Sequence, residues 1–189
     1  KCGVRTVMEK RQGYPFTRQA GHEIAKGEYI VSGDADTLYQ PKWIETMVAP
    51  MVNNKGIVCT YGLHAFITED NKYPLSLLLF QQAKTWGIHF RHLKRPQLNC
   101  GGASMAYRVE SANQVGGYNL KMKRGTDGFI AYLMMDIGIV HKVTSNKALI
   151  YTSNRRTEMD GSLGKAFWVR AKRYFKNVFK YLKTQTEDK

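Results

Sequence analysis

Apolar residues recur along this chain in two rhythms: short unbroken runs, and stripes at helical spacing. The two alternate. Residues 17–26 (Thr-Arg-Gln-Ala-Gly-His-Glu-Ile-Ala-Lys) predict a helix, with Thr17 as N-cap and Gly27 where a C-cap glycine belongs. Glu28–Ser32 is a short β-rich run suited to a buried strand, and it ends in Gly33-Asp34-Ala35-Asp36-Thr37. A helix follows Pro41, with Trp43, Ile44, Met47 and Val48 as its apolar face. Gly56–Tyr61 predicts a second apolar strand, and residues 74–86 a helix with Pro74 in its first turn. Gly101-Gly102-Ala103 then turns the chain into a strand through Met105-Ala106-Tyr107, and Val109–Val115 forms a short helix closed by Gly116-Gly117. Thr126–Asp136 predicts a further helix, Ile139–Val143 and Ala148–Thr152 two more strands. From Lys165 onward, Phe167, Ala171, Tyr174, Phe175, Val178 and Leu182 fall at helical spacing. Strands alternating with helices predict an α/β domain with a mostly parallel sheet.

Composition narrows the partners. The 189 residues are 43% hydrophobic, enough for a sizeable core, and contain no apolar run long enough to span a membrane. The chain opens Lys1-Cys2-Gly3, with no secretory signal and no initiator Met, and so reads as a cytoplasmic fragment. Three cysteines (Cys2, Cys59, Cys100) without CxxC spacing predict reduced thiols rather than a disulfide scaffold or a zinc site. His89 and His92 sit three apart, a spacing open to metal ligation. The plainer reading places them beside a basic loop with Arg91, Lys94 and Arg95. Net charge is +14, and a basic surface of this kind attracts nucleic acid, anionic lipid or phosphorylated ligands.

The strongest local signal for chemistry is Ser32-Gly33-Asp34-Ala35-Asp36. Ligands of open α/β sheets bind at the carboxyl ends of strands, and two carboxylates one residue apart belong in a cleft rather than in a dry core. Asp36 suits a hard cation such as Mg²⁺ that also holds a diphosphate, and Asp34 suits a sugar or ribose hydroxyl. The alternative is an ordinary Asp/Gly turn.

The run Ala20-Gly21-His22-Glu23-Ile24-Ala25-Lys26-Gly27-Glu28-Tyr29-Ile30-Val31-Ser32-Gly33-Asp34-Ala35-Asp36 closely resembles the family 2 glycosyltransferases of the GT-A fold. Further matches follow in the family's order: Trp43-Ile44-Glu45, Gly101 to Arg108, Gly116-Gly117-Tyr118-Asn119, Thr126-Asp127-Gly128, and Thr152-Ser153-Asn154-Arg155-Arg156. The resemblance covers roughly residues 5–160. It implies a Rossmann-like GT-A domain over 1–160, metal-dependent and inverting. A sugar would pass from a nucleotide-diphospho-sugar donor to a glycan or lipid-linked acceptor, including those of the cell envelope. It implies Asp36 as ligand of Mn²⁺ or Mg²⁺, and Arg18, Asp34, Arg155 and Arg156 as donor-binding residues. Asp127 becomes the base that deprotonates the acceptor, and Gly101, Gly102 and Ala103 the acceptor-side segment. Plainer readings stand beside each: Asp127 complementing a helix dipole, the arginines as solvated loop charges, the glycines as a turn.

Two departures follow from the same resemblance. The family's first strand, its Tyr-Asn-Glu-like loop and its Asp-Asp-Gly-Ser strand have no counterpart, and Cys2–Val7 resembles the strand that comes after them. A partial GT-A domain is therefore expected, completed by an N-terminal segment or a partner subunit, with an exposed sheet edge and poor stability alone. Thr126 stands where the family usually has Glu. Residues 161–189 form a basic tail, with eight cations from Lys165 to Lys189 against Glu187 and Asp188. Over 165–183 this reads as an amphipathic helix, either making peripheral contact with the inner membrane face or packing its aromatic stripe on the domain. The rival readings are a non-catalytic basic binding module and an inactive transferase remnant. No nucleic-acid motif supports the first, and nucleic acid is not an expected partner.

Overall fold

The structure, a computed structural model, describes residues 3–67 and 75–153. Arg155, Arg156, Pro74, Cys2 and the 161–189 tail lie outside the described residues, as does the predicted helix over 165–183. The elements run α1 (Tyr14–Ile24), β1 (Tyr29–Ser32), β2 (Thr37–Leu38), α2 (Trp43–Asn53), β3 (Ile57–Gly62) and β4 (His64–Ile67). They continue with α3 (Leu75–Lys94), a 3₁₀ turn at Pro96–Asn99, β5 (Met105–Arg108), α4 (Val109–Gln114) and α5 (Thr126–Met134). β6 (Ile139–Val143), a 3₁₀ turn at Asn146–Ala148 and β7 (Ile150–Ser153) complete the described chain.

The main sheet is ordered β1-β5-β3-β6, and a three-stranded sheet is ordered β2-β7-β4. The expected mostly parallel sheet is not what forms. β5 runs antiparallel to both neighbours, and β3 with β6 is the parallel pair of this sheet. The connection explains the difference. The end of α3 and the Pro96–Asn99 turn bring the chain to the carboxyl ends of β1 and β3, so the next strand must run back between them.

Alternation along the strands sorts the core onto two faces. Met105 and Tyr107 point to one cluster with Ile130, Met134 and Val140, while Ala106 points to the other with Trp43, Met47, Met51 and Ile150. β1 follows the same rule, with Ile30 on the first face and Tyr29 and Val31 on the second. β3 breaks it. Val58 and Cys59 both join the first cluster, and the register of β3 against β6 shifts between Ile57 and Cys59, the mark of a bulge. All six residues of β3 are buried. Phe66, Gln81 and Phe80 belong to a separate compact unit, where the two rings stack at 6.1 Å and Gln81 Nε2 donates to the Phe66 carbonyl at 3.2 Å.

Several boundaries differ from the sequence reading. α1 begins at Tyr14, because Pro15 in its first turn presets the helical φ, and Thr17 lies inside the helix rather than capping it. Its end falls at Ile24, with extended Ala25 as cap instead of Gly27. α3 continues past Gly87 to Lys94, ending as Pro96 approaches. His89 and His92 therefore sit on a helix, not beside a loop: His92 Nδ1 is 2.8 Å from the Tyr61 hydroxyl, and His89 Nδ1 is 2.6 Å from Lys142 Nζ. Ile44 is 62% exposed, so the buried face of α2 is Trp43, Met47 and Met51. Residues 3–7 form no strand, since no described strand lies alongside to pair with them. Gly116 and Gly117 do close α4, both at positive φ. Cys59 and Cys100 are buried and free. No described helix is long and apolar enough to cross a membrane.

Candidate functional site

Antiparallel pairing of β1 with β5 sets Ser32 opposite Met105, so the loop leaving β1 and the loop entering β5 meet at one end of the sheet. The first loop carries Asp34 and Asp36, the second Gly101, Gly102 and Ala103. α1 passes over this end and presents Tyr14 and Arg18, one helical turn apart on the same face. α5 begins there with Thr126 and Asp127.

Arg18 ties the cluster together. Its Nε donates to the Tyr14 hydroxyl at 2.8 Å, its Nη1 to Ser32 Oγ, and its Nη2 pairs with Asp34 Oδ1 at 3.1 Å. The guanidinium lies 4.7 Å over the Tyr14 ring, and its Nε is 3.8 Å from Asp127 Oδ1. Ser32 Oγ in turn donates to the Gly102 carbonyl at 2.9 Å. Tyr39 holds the Asp34 loop: its hydroxyl accepts from the Asp34 amide at 2.6 Å and reaches the Ala103 carbonyl at 3.1 Å.

Asp127 is buried, and its two oxygens differ. Oδ2 accepts from the Tyr14 hydroxyl at 2.9 Å and from the Gly102 amide at 3.0 Å. Oδ1 is buried without a hydrogen-bond partner. Burial raises the Asp127 pKa above the ordinary aspartate value, against the opposing pull of Arg18, Tyr14 and the Gly102 amide. Burial and then the charge of Asp127 raise the Tyr14 phenol, which stays protonated as donor. A side chain at Gly102 would displace its neighbours. A Cβ there would overlap Arg18 Nη2 and the Tyr14 hydroxyl and sit 2.6 Å from Arg18 Cζ. Gly101 is exposed, its carbonyl closing a turn with the Ser104 amide at 3.0 Å.

A cleft of about 480 Å³ opens along β1, lined by Tyr14, Thr17, Arg18, Gly21 and His22 from α1, Ile30 to Ala35, and Tyr107 and Tyr118. Asp127 does not line it, whereas its partners Tyr14 and Arg18 do. Asp36 is exposed at the loop tip. Among the described residues, no group of three or more His, Cys, Asp or Glu converges as a metal site. Of the sequence-predicted residues, Arg18, Asp34, Gly102, Ala103 and Asp127 thus form one connected cluster, with Gly101 and Asp36 at its rim. Tyr14, Ser32 and Tyr39 are additional members. Tyr14 was legible from its i,i+4 spacing to Arg18, and Ser32 as the last residue of β1.

The model of glycosyl transferase family 2 matches residues 3–116. The chain belongs to this family. A curated relative, the glucosyl-dolichyl phosphate glucuronosyltransferase of Haloferax volcanii, is 23% identical over 194 residues, 95% of this chain and 60% of its own length. Among solved structures, the mannosyltransferase PcManGT of Pyrobaculum calidifontis, in complex with GDP-Man and Mn²⁺, aligns with a TM-score of 0.50 at 16% identity. That alignment covers 75% of this chain and 36% of PcManGT. GalNAc-T7 with UDP, GalNAc and Mn²⁺ aligns with a TM-score of 0.53 at 21% identity, covering 77% and 31%. These likenesses establish the GT-A fold of this family 2 chain, which spans 60% of its curated relative.

Proposed function

We propose that this family 2 chain transfers a sugar from a nucleotide-diphospho-sugar to an acceptor hydroxyl with inversion, and that Asp127 is the base. The observation that carries this is the asymmetry of Asp127. One oxygen is fixed by Tyr14 and Gly102, while the other is buried, accepts no hydrogen bond and lies 3.8 Å from Arg18 Nε. A carboxylate held at one oxygen and without a hydrogen bond at the other, with its pKa raised by burial, suits taking a proton. In a single displacement, the acceptor oxygen bonds to the anomeric carbon and its proton passes to Asp127 Oδ1. The bond from that carbon to the diphosphate oxygen breaks, and the nucleoside diphosphate leaves with the electron pair. Arg18 suits the donor's phosphates. Turning toward them, it uncovers the base it now flanks. Asp34, held by Tyr39 through its amide, suits a donor hydroxyl.

An exposed Asp36 at the cleft's end fits the way Mg²⁺ or Mn²⁺ binds, through one or two carboxylates with phosphate and water completing the shell. Such an ion, when bound, offsets charge developing on the leaving diphosphate. Mn²⁺ in the PcManGT and GalNAc-T7 complexes supports the same reading. Arg155 and Arg156 remain proposed phosphate contacts, and a lipid-linked acceptor draws support from the dolichyl phosphate relative. The test is nucleoside diphosphate release from a panel of UDP- and GDP-sugars in the presence of acceptor lipids. Turnover by the wild type that Asp127→Asn abolishes, with donor binding retained, supports the base. Equal turnover by Asp127→Asn refutes it.

A further inference from the structure

The C-terminal half of α3 presents Trp86, Phe90 and Leu93 on one face, at 57%, 66% and 78% exposure. Steps of four and three place them in line along the helix, and the Trp86 and Phe90 rings lie 6.3 Å apart. The opposite face holds the helix to the protein: Ile88 is in the core, and His92 bonds Tyr61. The exposed stripe is therefore not a loose end of an ill-packed helix. Three large apolar side chains in a row on a fixed surface mark a contact site.

Charge identifies what makes the contact. α3 contains no Asp or Glu; its exposed Lys94, beside Leu93, is followed at once by Arg95, whereas Lys84 and Arg91 lie on the inner face, the Lys84 ammonium buried and Arg91 Nε donating to Asn99 Oδ1 at 2.8 Å. Lys142 of β6 stands 2.6 Å from His89 on the same helix. A second copy docked through this face would set cations against cations. So would the chain's own 165–183 segment, which is equally basic. We infer that this face docks on an anionic membrane surface, with Trp86, Phe90 and Leu93 entering the headgroup boundary and Lys94, Arg95 and Lys142 meeting lipid phosphates. The inference stands apart from the transferase reading, since it needs neither donor nor acceptor. α3 also continues through the Pro96–Asn99 turn directly into Gly101–Ala103, so docking would hold the candidate site close to lipid.

The experiment is co-sedimentation of the full chain with vesicles of equal parts phosphatidylglycerol and phosphatidylcholine, and with phosphatidylcholine alone. The wild type should bind the anionic vesicles about tenfold more tightly than the neutral ones. Trp86→Ser, Phe90→Ser and Leu93→Ser combined should lower anionic binding by about tenfold or more, with an unchanged melting midpoint because all three are exposed. Phe167→Ser with Phe175→Ser, run in parallel, should leave that α3 dependence in place. As a second readout, brominated lipid should quench Trp86 fluorescence in a Trp168→Phe background. A wild type that ignores anionic vesicles, a triple variant that binds as the wild type does, or an unquenched Trp86 would each overturn the inference.

Discussion

Replacing Gly102 by alanine tests whether the candidate site is a single mechanical unit. Gly102 does not adopt positive φ, so the backbone accepts alanine and the cost is steric. The new Cβ would overlap Arg18 Nη2 and the Tyr14 hydroxyl and lie 2.6 Å from Arg18 Cζ. Ordinary contact begins near 3.4 Å, so both side-chain ends must retreat by about an ångström or more. That movement breaks the Tyr14 bond to Asp127 and the Arg18 bonds to Ser32 and Asp34. A hydrogen bond to a charged group contributes about 1.5–3 kcal/mol, and a half-exposed ion pair about 0–1 kcal/mol. Water reaches the cleft and restores part of this, which leaves a net loss of about 2 kcal/mol. In urea, with a slope of about 2 kcal/mol/M, the midpoint falls by about 1 M. The same substitution in a Tyr14→Ala, Arg18→Ala background has nothing left to displace and should cost less than about 0.5 kcal/mol. An equal loss in both backgrounds would refute the reasoning, because the damage would then lie in the loop itself.

Other consequences are open to direct measurement. The folded pKa of Asp127 is raised, so its contribution to stability is fully present below the unfolded value near 3.8 and is lost as pH rises through the folded one. Asp127→Asn, which cannot ionise, should melt no lower than wild type at neutral pH, and its advantage should vanish in acid. A markedly lower neutral midpoint would contradict this. Met47 is fully buried against Trp43, Ala106 and Ile150, so Met47→Ala should cost about 2–5 kcal/mol in denaturant titration. Tyr39→Phe removes the hydroxyl that grips the Asp34 amide and the Ala103 carbonyl, and at about 1 kcal/mol for each of the two bonds should weaken nucleotide binding by up to about thirtyfold.

Much of the site was legible because it hangs on local signals. The β-rich run ending in Asp-Ala-Asp, the Gly-Gly-Ala turn and the Asp127 helix start each fall where short-range chemistry puts them. Their convergence was not. It depends on β5 running antiparallel between β1 and β3, a pairing that no run length or composition encodes. The short strands β2 and β4 were missed for a similar reason: two and four residues without alternation exist only because β7 pairs into their sheet. The expected helix over 74–86 falls short of Lys94: a single helical glycine such as Gly87 costs about 1 kcal/mol, and beyond it Ile88 packs into the core. The extra members of the site are hydrogen-bonding side chains whose value appears only when their partners, 113 positions apart for Tyr14 and Asp127, are brought together.

The central claim is that the cleft at the end of β1 is a donor site in which Asp36 helps hold a divalent ion. Calorimetric titration of UDP and of GDP, each with Mn²⁺ and each with a chelator instead, into wild type and Asp36→Ala tests it most directly. Binding of one nucleotide that requires Mn²⁺ and is lost in Asp36→Ala is the predicted result. Binding that is indifferent to Mn²⁺ and to Asp36, or no binding of either nucleotide by the folded wild type, would contradict it.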